Sequence, residues 1–105
     1  MFIALYRWKL KSGKEDQFRE AWSQVTIAIR EKSGSLGSRL HRSEDGTWVA
    51  YAQWPNKEAW QVDHPLGDAV DAARQRMRDA VEESLPTLSL TVSDDYLIPV
   101  SEKPG

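Results

Sequence analysis

The segment at residues 2–10 constrains the fold most, because apolar side chains stand on both sides of its alternation. Alternation with a period of two predicts a β-strand, whose successive side chains point to opposite faces of a sheet. One set is apolar throughout, and the other begins with two aliphatic residues: Phe2, Ala4, Tyr6, Trp8 and Leu10 against Ile3, Leu5, Arg7 and Lys9. A sheet that contains this strand therefore needs apolar cover on both faces.

A helix is predicted directly after this strand. Residues 12–15 (SGKE) match a capping box, with Ser12 as the N-cap and Glu15 three residues later. Apolar residues then recur at the spacing of a helix that buries one face: Phe18, Ala21, Trp22, Val25 and Ile29. The run at residues 33–35 (SGS) is expected to end this helix.

A β-hairpin is predicted next. Residues 36–43 and 47–54 are short stretches rich in β-compatible side chains, and residues 44–46 (EDG) between them are typical of a hairpin turn. Asn56 is then expected to cap a short helix that stops near His64, because a residue before proline avoids the helical conformation.

A longer helix and a last strand complete the pattern. The helix is predicted to begin at Gly67 and to end at Leu85-Pro86, with an apolar stripe of Val70, Ala73, Met77, Ala80 and Val81. Leu88, Leu90 and Val92 alternate with polar residues, which predicts a strand.

The order β-α-β-β-α-β predicts an α+β fold of the ferredoxin-like type, with an antiparallel four-stranded sheet and both helices on one face. The length of 105 residues fits a single domain over 1–105, with a core at 1–93 and a C-terminal tail at 94–105.

The second face of this sheet predicts a homodimer. Ile3 and Leu5 lie there, and the strand at 47–54 carries apolar side chains on both of its sides. A second copy of the sheet, related by a two-fold axis, is the cover that the pattern favours. We expect the interface to bury Ile3, Leu5 and part of that strand, and the tail segment at 96–100 to reach across to the partner.

Charge and composition argue against several partners. The formal net charge is −2, which favours neither nucleic acid nor an anionic membrane. RNA-binding domains share this element order, but the strand at 47–54 has neither the glycine nor the basic residues of their signature. No apolar run reaches the ~20 residues that span a bilayer, and no secretory signal is recognisable, so we expect a cytoplasmic protein.

Cofactor and metal sites are not expected. The chain has no cysteine, and its two histidines, His41 and His64, have no cluster of carboxylates in sequence around them. Neither a dinucleotide fingerprint nor a P-loop is present. We therefore predict a protein that uses no cofactor and no metal.

Aromatic residues predict the ligand site. Five of 105 residues are Trp, which either pack a small core or line a flat aromatic pocket. We expect a pocket between the sheet and the helices, lined by Tyr6, Trp8, Trp22, Trp60 and His64. Near-neutral titration suits His64 as a proton acceptor, although it can equally be an exposed loop residue before proline.

Two segments carry a resemblance to a known family. ALYRWKLKSGKEDQFREAW resembles the first strand, turn and helix of antibiotic biosynthesis monooxygenase (ABM) domains, and AYAQWPNKEAW resembles their third strand and the entry into the second helix. The resemblance covers about residues 1–81. It implies a dimeric α/β barrel with a pocket in each subunit, in a family that includes cofactor-independent monooxygenases, quinol oxygenases, haem-degrading enzymes and proteins without a known substrate.

The resemblance narrows the function to two hypotheses. Haem-degrading members place Asn, Trp and His near positions held here by Tyr6, Asp63 and Arg74, so haem degradation is not expected. The first hypothesis is a cofactor-independent monooxygenase for an aromatic, phenolic or quinol-type small molecule. In it Tyr6 and His64 assist deprotonation, and Trp8, Trp22 and Trp60 bind the rings. The second is a non-catalytic ligand-binding barrel of the same family.

Overall fold

The computed structural model, which describes residues 1–63 and 65–100, confirms the ferredoxin-like α+β fold. Its four strands form one antiparallel sheet in the order β2-β3-β1-β4. In chain order the elements are β1 (Phe2–Leu10), α1 (Glu15–Lys32), β2 (Ser38–Arg42), β3 (Trp48–Trp54), α2 (Lys57–Gln61), α3 (Asp68–Ala80) and β4 (Val81–Thr91).

The core lies between one face of the sheet and the helices. β1 pairs with β3 so that Phe2 faces Trp54 and Ala4 faces Ala52, and these four buried residues form one cluster. A second cluster joins α1 to α3 through four residues of the predicted helix stripes, Ala21, Val25, Val70 and Ala73, together with Leu66, which precedes α3. The alternation of β1 thus correctly identified the face that the helices cover.

The predicted capping box is wrong. Lys14 N donates a hydrogen bond to Lys11 O (3.1 Å), and this bond closes a turn before the helix. Ser12 lies inside that turn, so it is too far from the first residue of the helix to cap it. The N-cap of α1 is Lys14, without a side-chain hydrogen bond. The Glu15 carboxylate instead accepts a hydrogen bond from Gly13 N at 3.1 Å.

The predicted end of the last long helix is also wrong. α3 ends at Ala80, and β4 begins at Val81 rather than near Leu88. Lys11 N donates to Ala80 O (2.9 Å), and Leu10 pairs with Val81. The backbone from Ala80 onward is therefore hydrogen-bonded to β1 and its end instead of continuing the helix. Pairing with β1 therefore overrides the helical pattern of residues 81–85.

A bulge in β4 accommodates its proline. The register shifts between Leu5↔Leu88 and Arg7↔Leu85, so that Pro86 and Thr87 lie opposite the single residue Tyr6. Proline lacks the N–H that a regular ladder needs, and bulges are among the few places in a sheet that tolerate it. The Arg7 guanidinium spans the irregularity, since its Nη2 donates to Pro86 O at 3.1 Å.

The face of the sheet opposite the helices, called here the open face, is apolar. Ile3 is only 2% exposed, whereas Leu88 and Leu90 on β4 are 41% and 42% exposed. The tail beside it exposes four large apolar side chains almost completely: Tyr96, Leu97, Ile98 and Val100. A cavity of about 650 Å³ lies between this tail and the Ile3 end of the open face.

The contact between α1 and α3 includes a polar junction that predicts acid sensitivity. Gln17 Nε2 donates to Asp79 Oδ2 (3.0 Å), and Lys14 Nζ lies 3.4 Å from the same oxygen. These two interactions, the hydrogen bond from Gln17 first, lower the pKa of Asp79 below its ordinary value of 3.8. A depressed folded-state pKa stabilises the fold above the unfolded pKa, and this stability is lost as pH falls through the folded value.

We therefore expect Asp79→Asn to flatten the fall in the free energy of unfolding below about pH 4. Urea titrations at pH 7, 4 and 3 provide the measurement. Glu31→Gln removes an exposed carboxylate without a partner among the described side chains, and it serves as the control. An Asp79→Asn variant with the wild-type pH profile would contradict this role.

Candidate active site

A cavity of about 260 Å³ lies between the sheet, the C-terminal end of α1, α2 and α3. Three aromatic residues, one cation and several aliphatic and polar groups form its wall: Tyr6, Ile29, Ser33, Trp54, Trp60, Gln61, Val62, Asp63, Leu66 and Arg74. A flat ligand would stack on the three aromatic rings here, and the polar side chains of the wall would orient it.

Tyr6 and Trp60 meet at the centre of this wall. Trp60 Nε1 donates a hydrogen bond to Tyr6 Oη at 2.8 Å, and the Trp60 ring packs on Phe2 with centroids 5.0 Å apart. Asn56 orients α2 for this contact, because its side chain accepts a hydrogen bond from Ala59 N at 2.8 Å and thereby caps the helix as predicted. Two residues predicted for the site from sequence are therefore in direct contact.

The Tyr6–Trp60 bond leaves the tyrosine able to act on a ligand. A phenolic hydroxyl both donates and accepts. Because the indole N–H occupies one lone pair of Tyr6 Oη, the hydroxyl hydrogen is available to an acceptor in the cavity. Tyr6 is thus a donor whose position is fixed by a second side chain.

Trp54 and Arg74 also line this cavity, and sequence reasoning missed both as site residues. Trp54 is 7% exposed, and its indole Nε1 has no hydrogen-bond partner among the described residues. Arg74, on α3, is half-buried, and the described side chains offer it no ion pair. Two features of the sequence could have pointed to these residues. The alternation of β3 places Trp54 on the face that the helices cover, and Arg74 directly follows the buried Ala73 in α3.

Trp8 lies next to the cavity rather than in it. Its ring stacks on Tyr6 with centroids 5.9 Å apart and meets Phe18 edge-on at 5.0 Å. It lines a neighbouring cavity of about 340 Å³, together with Phe18, Met77 and Arg74. Arg74 borders both cavities, so a ligand that extends past Arg74 would reach Trp8.

Trp22 is not brought to this site. It lines a groove of about 660 Å³ between α1 and the β2–β3 edge, beside Trp48. That groove is larger, but charged side chains line it, and three of them form ion pairs: Arg19 with Asp16 at 3.4 Å, and Glu20 with Arg76 at 3.5 Å. The aromatic cavity at Tyr6 is the better candidate, since three aromatic rings form its wall and the buried Trp54 N–H there has no partner among the described residues.

Of the two histidines, His41 lies within the described residues and His64 does not. His64 lies outside the described residues, so its predicted role is untested, although Asp63 and Leu66 on either side of it line the cavity. His41 is exposed on the open face, where its Nδ1 is 3.2 Å from Val49 O.

The described residues form neither a metal-ligand cluster nor a membrane-spanning helix. Within residues 1–63 and 65–100, no three His, Asp or Glu side chains are grouped so as to hold a metal ion. The helices in this part of the chain are also too short or too polar to cross a membrane.

The Tyr6–Trp60 bond predicts a coupled response to mutation. Tyr6→Phe strands the Trp60 N–H, which should cost about 1–3 kcal/mol if it stays buried. Trp60→Phe added to Tyr6→Phe should cost less than Trp60→Phe alone, because the stranded donor is then removed. Urea unfolding of the four proteins in the double-mutant cycle measures this coupling, and strictly additive costs would contradict it.

Solved structures of low sequence identity share this fold. Rv0793 from Mycobacterium tuberculosis superposes with a TM-score of 0.71 at 14% identity, covering 91% of this chain and 98% of that one. SnoaB from Streptomyces nogalater, described as a cofactor-independent oxygenase, gives a TM-score of 0.73 at 14% identity over 90% and 95% of the two chains. No curated protein sequence matches the chain significantly.

The family assignment rests on the sequence itself. The model of the family described as "Antibiotic biosynthesis monooxygenase" matches residues 1–76, which is most of the chain and includes both segments that carried the resemblance. Together with the shared fold, this match shows that the protein belongs to the antibiotic biosynthesis monooxygenase family.

Proposed function

We propose that this protein is a cofactor-independent monooxygenase that oxidises a phenolic or quinol-type aromatic molecule in the cavity at Tyr6. The observation that carries the proposal is the Trp60–Tyr6 hydrogen bond of 2.8 Å, which fixes a hydroxyl donor in an aromatic wall. Family membership supports this chemistry, and one protein of the same fold is described as a cofactor-independent oxygenase.

The protein has three tasks in this proposal. Trp60 and Trp54 contact the flat ring system, whose burial provides most of the binding free energy. Tyr6 donates to a substrate oxygen, and His64 accepts the phenolic proton. The Arg74 guanidinium stabilises the resulting anion by its charge, and Trp8 contacts substrates long enough to extend past it.

The reaction needs no reductant beyond the substrate. Loss of the phenolic proton makes the ring electron-rich, and the carbon para to the oxygen transfers electrons to O2 and forms a C–O bond. If that carbon carries a hydrogen atom, the hydroperoxide loses water to give a carbonyl. One atom of O2 stays in the product and the other leaves as water with two hydrogens from the substrate, so atoms and electrons balance.

Oxygen uptake tests this proposal. Anthrones, naphthols and quinols would be supplied with a chelator present and no flavin added. We expect consumption of one O2 per substrate and a fall of about 10²-fold or more in kcat for His64→Ala, the usual scale for losing a general base. Trp22→Phe, which changes the separate groove, is the control and should keep the wild-type rate.

The outcomes of this assay are distinct. Wild-type turnover by His64→Ala would remove His64 from the mechanism. Tight binding of these molecules without turnover would favour the non-catalytic ligand-binding barrel. Absence of both binding and turnover would contradict the cavity as the site.

We also propose that the protein is a homodimer formed through the open face. Leu88 and Leu90 are about two-fifths exposed in the single chain, and the apolar tail side chains are exposed more than three-quarters. This much contiguous apolar surface is typical of an interface. The tail lies at the Ile3 end of the face, where it could extend onto a partner.

The dimer is tested best by Leu88→Glu and Leu90→Glu together. Ile3 is unsuitable because it is already 2% exposed in the single chain, so a charge there would unfold the monomer itself. We expect the double variant to sediment as a folded monomer of 12.0 kDa and the wild type at twice that mass. Ile27→Glu, at an exposed position on α1, is the control. A wild type that sediments as a monomer at micromolar concentration would contradict the dimer.

A further inference from the structure

One buried donor in the cavity wall has no partner. Buried N–H groups in folded proteins are nearly always hydrogen-bonded, because a desolvated donor without an acceptor costs free energy. Trp54 Nε1 is buried without an acceptor among the described residues, whereas Trp60 Nε1 in the same wall is paired with Tyr6. The other unpartnered atom, Arg7 Nε, belongs to a guanidinium that already donates to Pro86 O.

The Trp54 ring cannot easily turn to find an acceptor elsewhere. Trp54 is the last residue of β3 and pairs with Phe2 on the central strand. It packs in the buried cluster with Phe2, Ala4 and Ala52, and it is 7% exposed. A side chain held in this way keeps its N–H where the fold places it, in the wall that Tyr6 and Arg74 also form.

We propose that Trp54 determines substrate specificity by donating its indole N–H to a second oxygen of the substrate, most simply a ring carbonyl. This inference rests on the proposed function, since it assigns one substrate oxygen to Tyr6 and another to Trp54. The substrate class is therefore a flat aromatic molecule with at least two oxygen substituents, one of them a phenol. An analogue without the second oxygen leaves the Trp54 donor stranded.

The charge of the wall agrees with an oxygen-rich, anionic ligand. Tyr6 and Trp54 offer uncharged donors, and Arg74 offers a cation. Asp63 is the one carboxylate of the cavity wall among the described residues, and it is exposed, so water screens it. Water does not reach Trp54 Nε1 in the ligand-free protein, so in this inference the ligand oxygen meets the donor only when the ligand enters beneath α2 and displaces part of the wall.

A pair of matched ligands and one conservative variant test this inference. 1-Hydroxyanthraquinone carries ring carbonyls, and 1-hydroxyanthracene has the same three rings and phenol without them. Binding is measured under anaerobic conditions, so that no turnover occurs. Trp54→Phe removes the N–H but keeps an aromatic ring, and Trp48→Phe, on the same strand but outside the cavity, is the control.

We expect Trp54→Phe to weaken binding of the quinone by about tenfold, the scale of one hydrogen bond, and that of the anthracene by less than about twofold. Trp48→Phe should leave both affinities unchanged.

Several results would overturn the inference. Equal weakening for both ligands would mean that Trp54 contributes only ring packing, and unchanged affinities would mean that its N–H meets no ligand. A wild type that binds neither molecule would overturn it as well. If Trp54→Phe does not fold, ¹⁵N-labelled wild type decides: an indole N–H resonance should move downfield with the quinone and not with the anthracene.

The design separates this inference from the oxygenase proposal. A tenfold difference in binding without oxygen uptake on any substrate would reject the oxygenase and keep Trp54 as a recognition residue. Oxygen uptake without that difference would keep the oxygenase and reject the role of Trp54.

Discussion

Antiparallel pairing of β1 with β3 on one side and β4 on the other is the interaction on which the rest of this structure depends. As a central strand, β1 has both backbone edges hydrogen-bonded, and it supplies side chains to both layers. Phe2, Ala4, Tyr6 and Trp8 meet the helices, while Ile3 and Leu5 lie on the open face. A change of register by one residue would exchange these two sets and remove both the core and the cavity.

The candidate site follows from that pairing and from one irregularity in it. Tyr6 lies where the register with β4 shifts to accommodate Pro86, so the residue that carries the hydroxyl is also the one opposite the bulge. Bulges often occur beside functional sites because they redirect side chains. Trp60 then reaches Tyr6 from α2, a helix of five residues whose position depends on the Asn56 cap.

Local patterns predicted the strands, the hairpin, the Asn56 cap and the covered face of β1, because two-residue and helical periodicities report burial directly. They failed at Ser12, where a local turn between Lys11 and Lys14 delays the start of the helix, and at residues 81–85, where pairing with the sequence-distant β1 decides the conformation. The site shows the same division. Tyr6 and Trp60 were expected in the site and are in contact. Trp22 was expected there too, but it lines a different groove. Trp54 and Arg74 line the cavity because of where β3 and α3 lie in the fold, and residue spacing in the sequence does not reveal this.

The unpaired donor of Trp54 and the exposed leucine side chains of β4 are related consequences of small size. A chain of 105 residues buries a limited core, so large aromatic side chains serve both packing and recognition. Trp54 packs Phe2 and Ala52 with its ring while its N–H lacks an acceptor, and Leu88 and Leu90 pair β4 to β1 while their side chains remain partly exposed. In each case the backbone is satisfied within the chain and the side chain is not, which is the arrangement expected where a ligand or a second copy completes the structure.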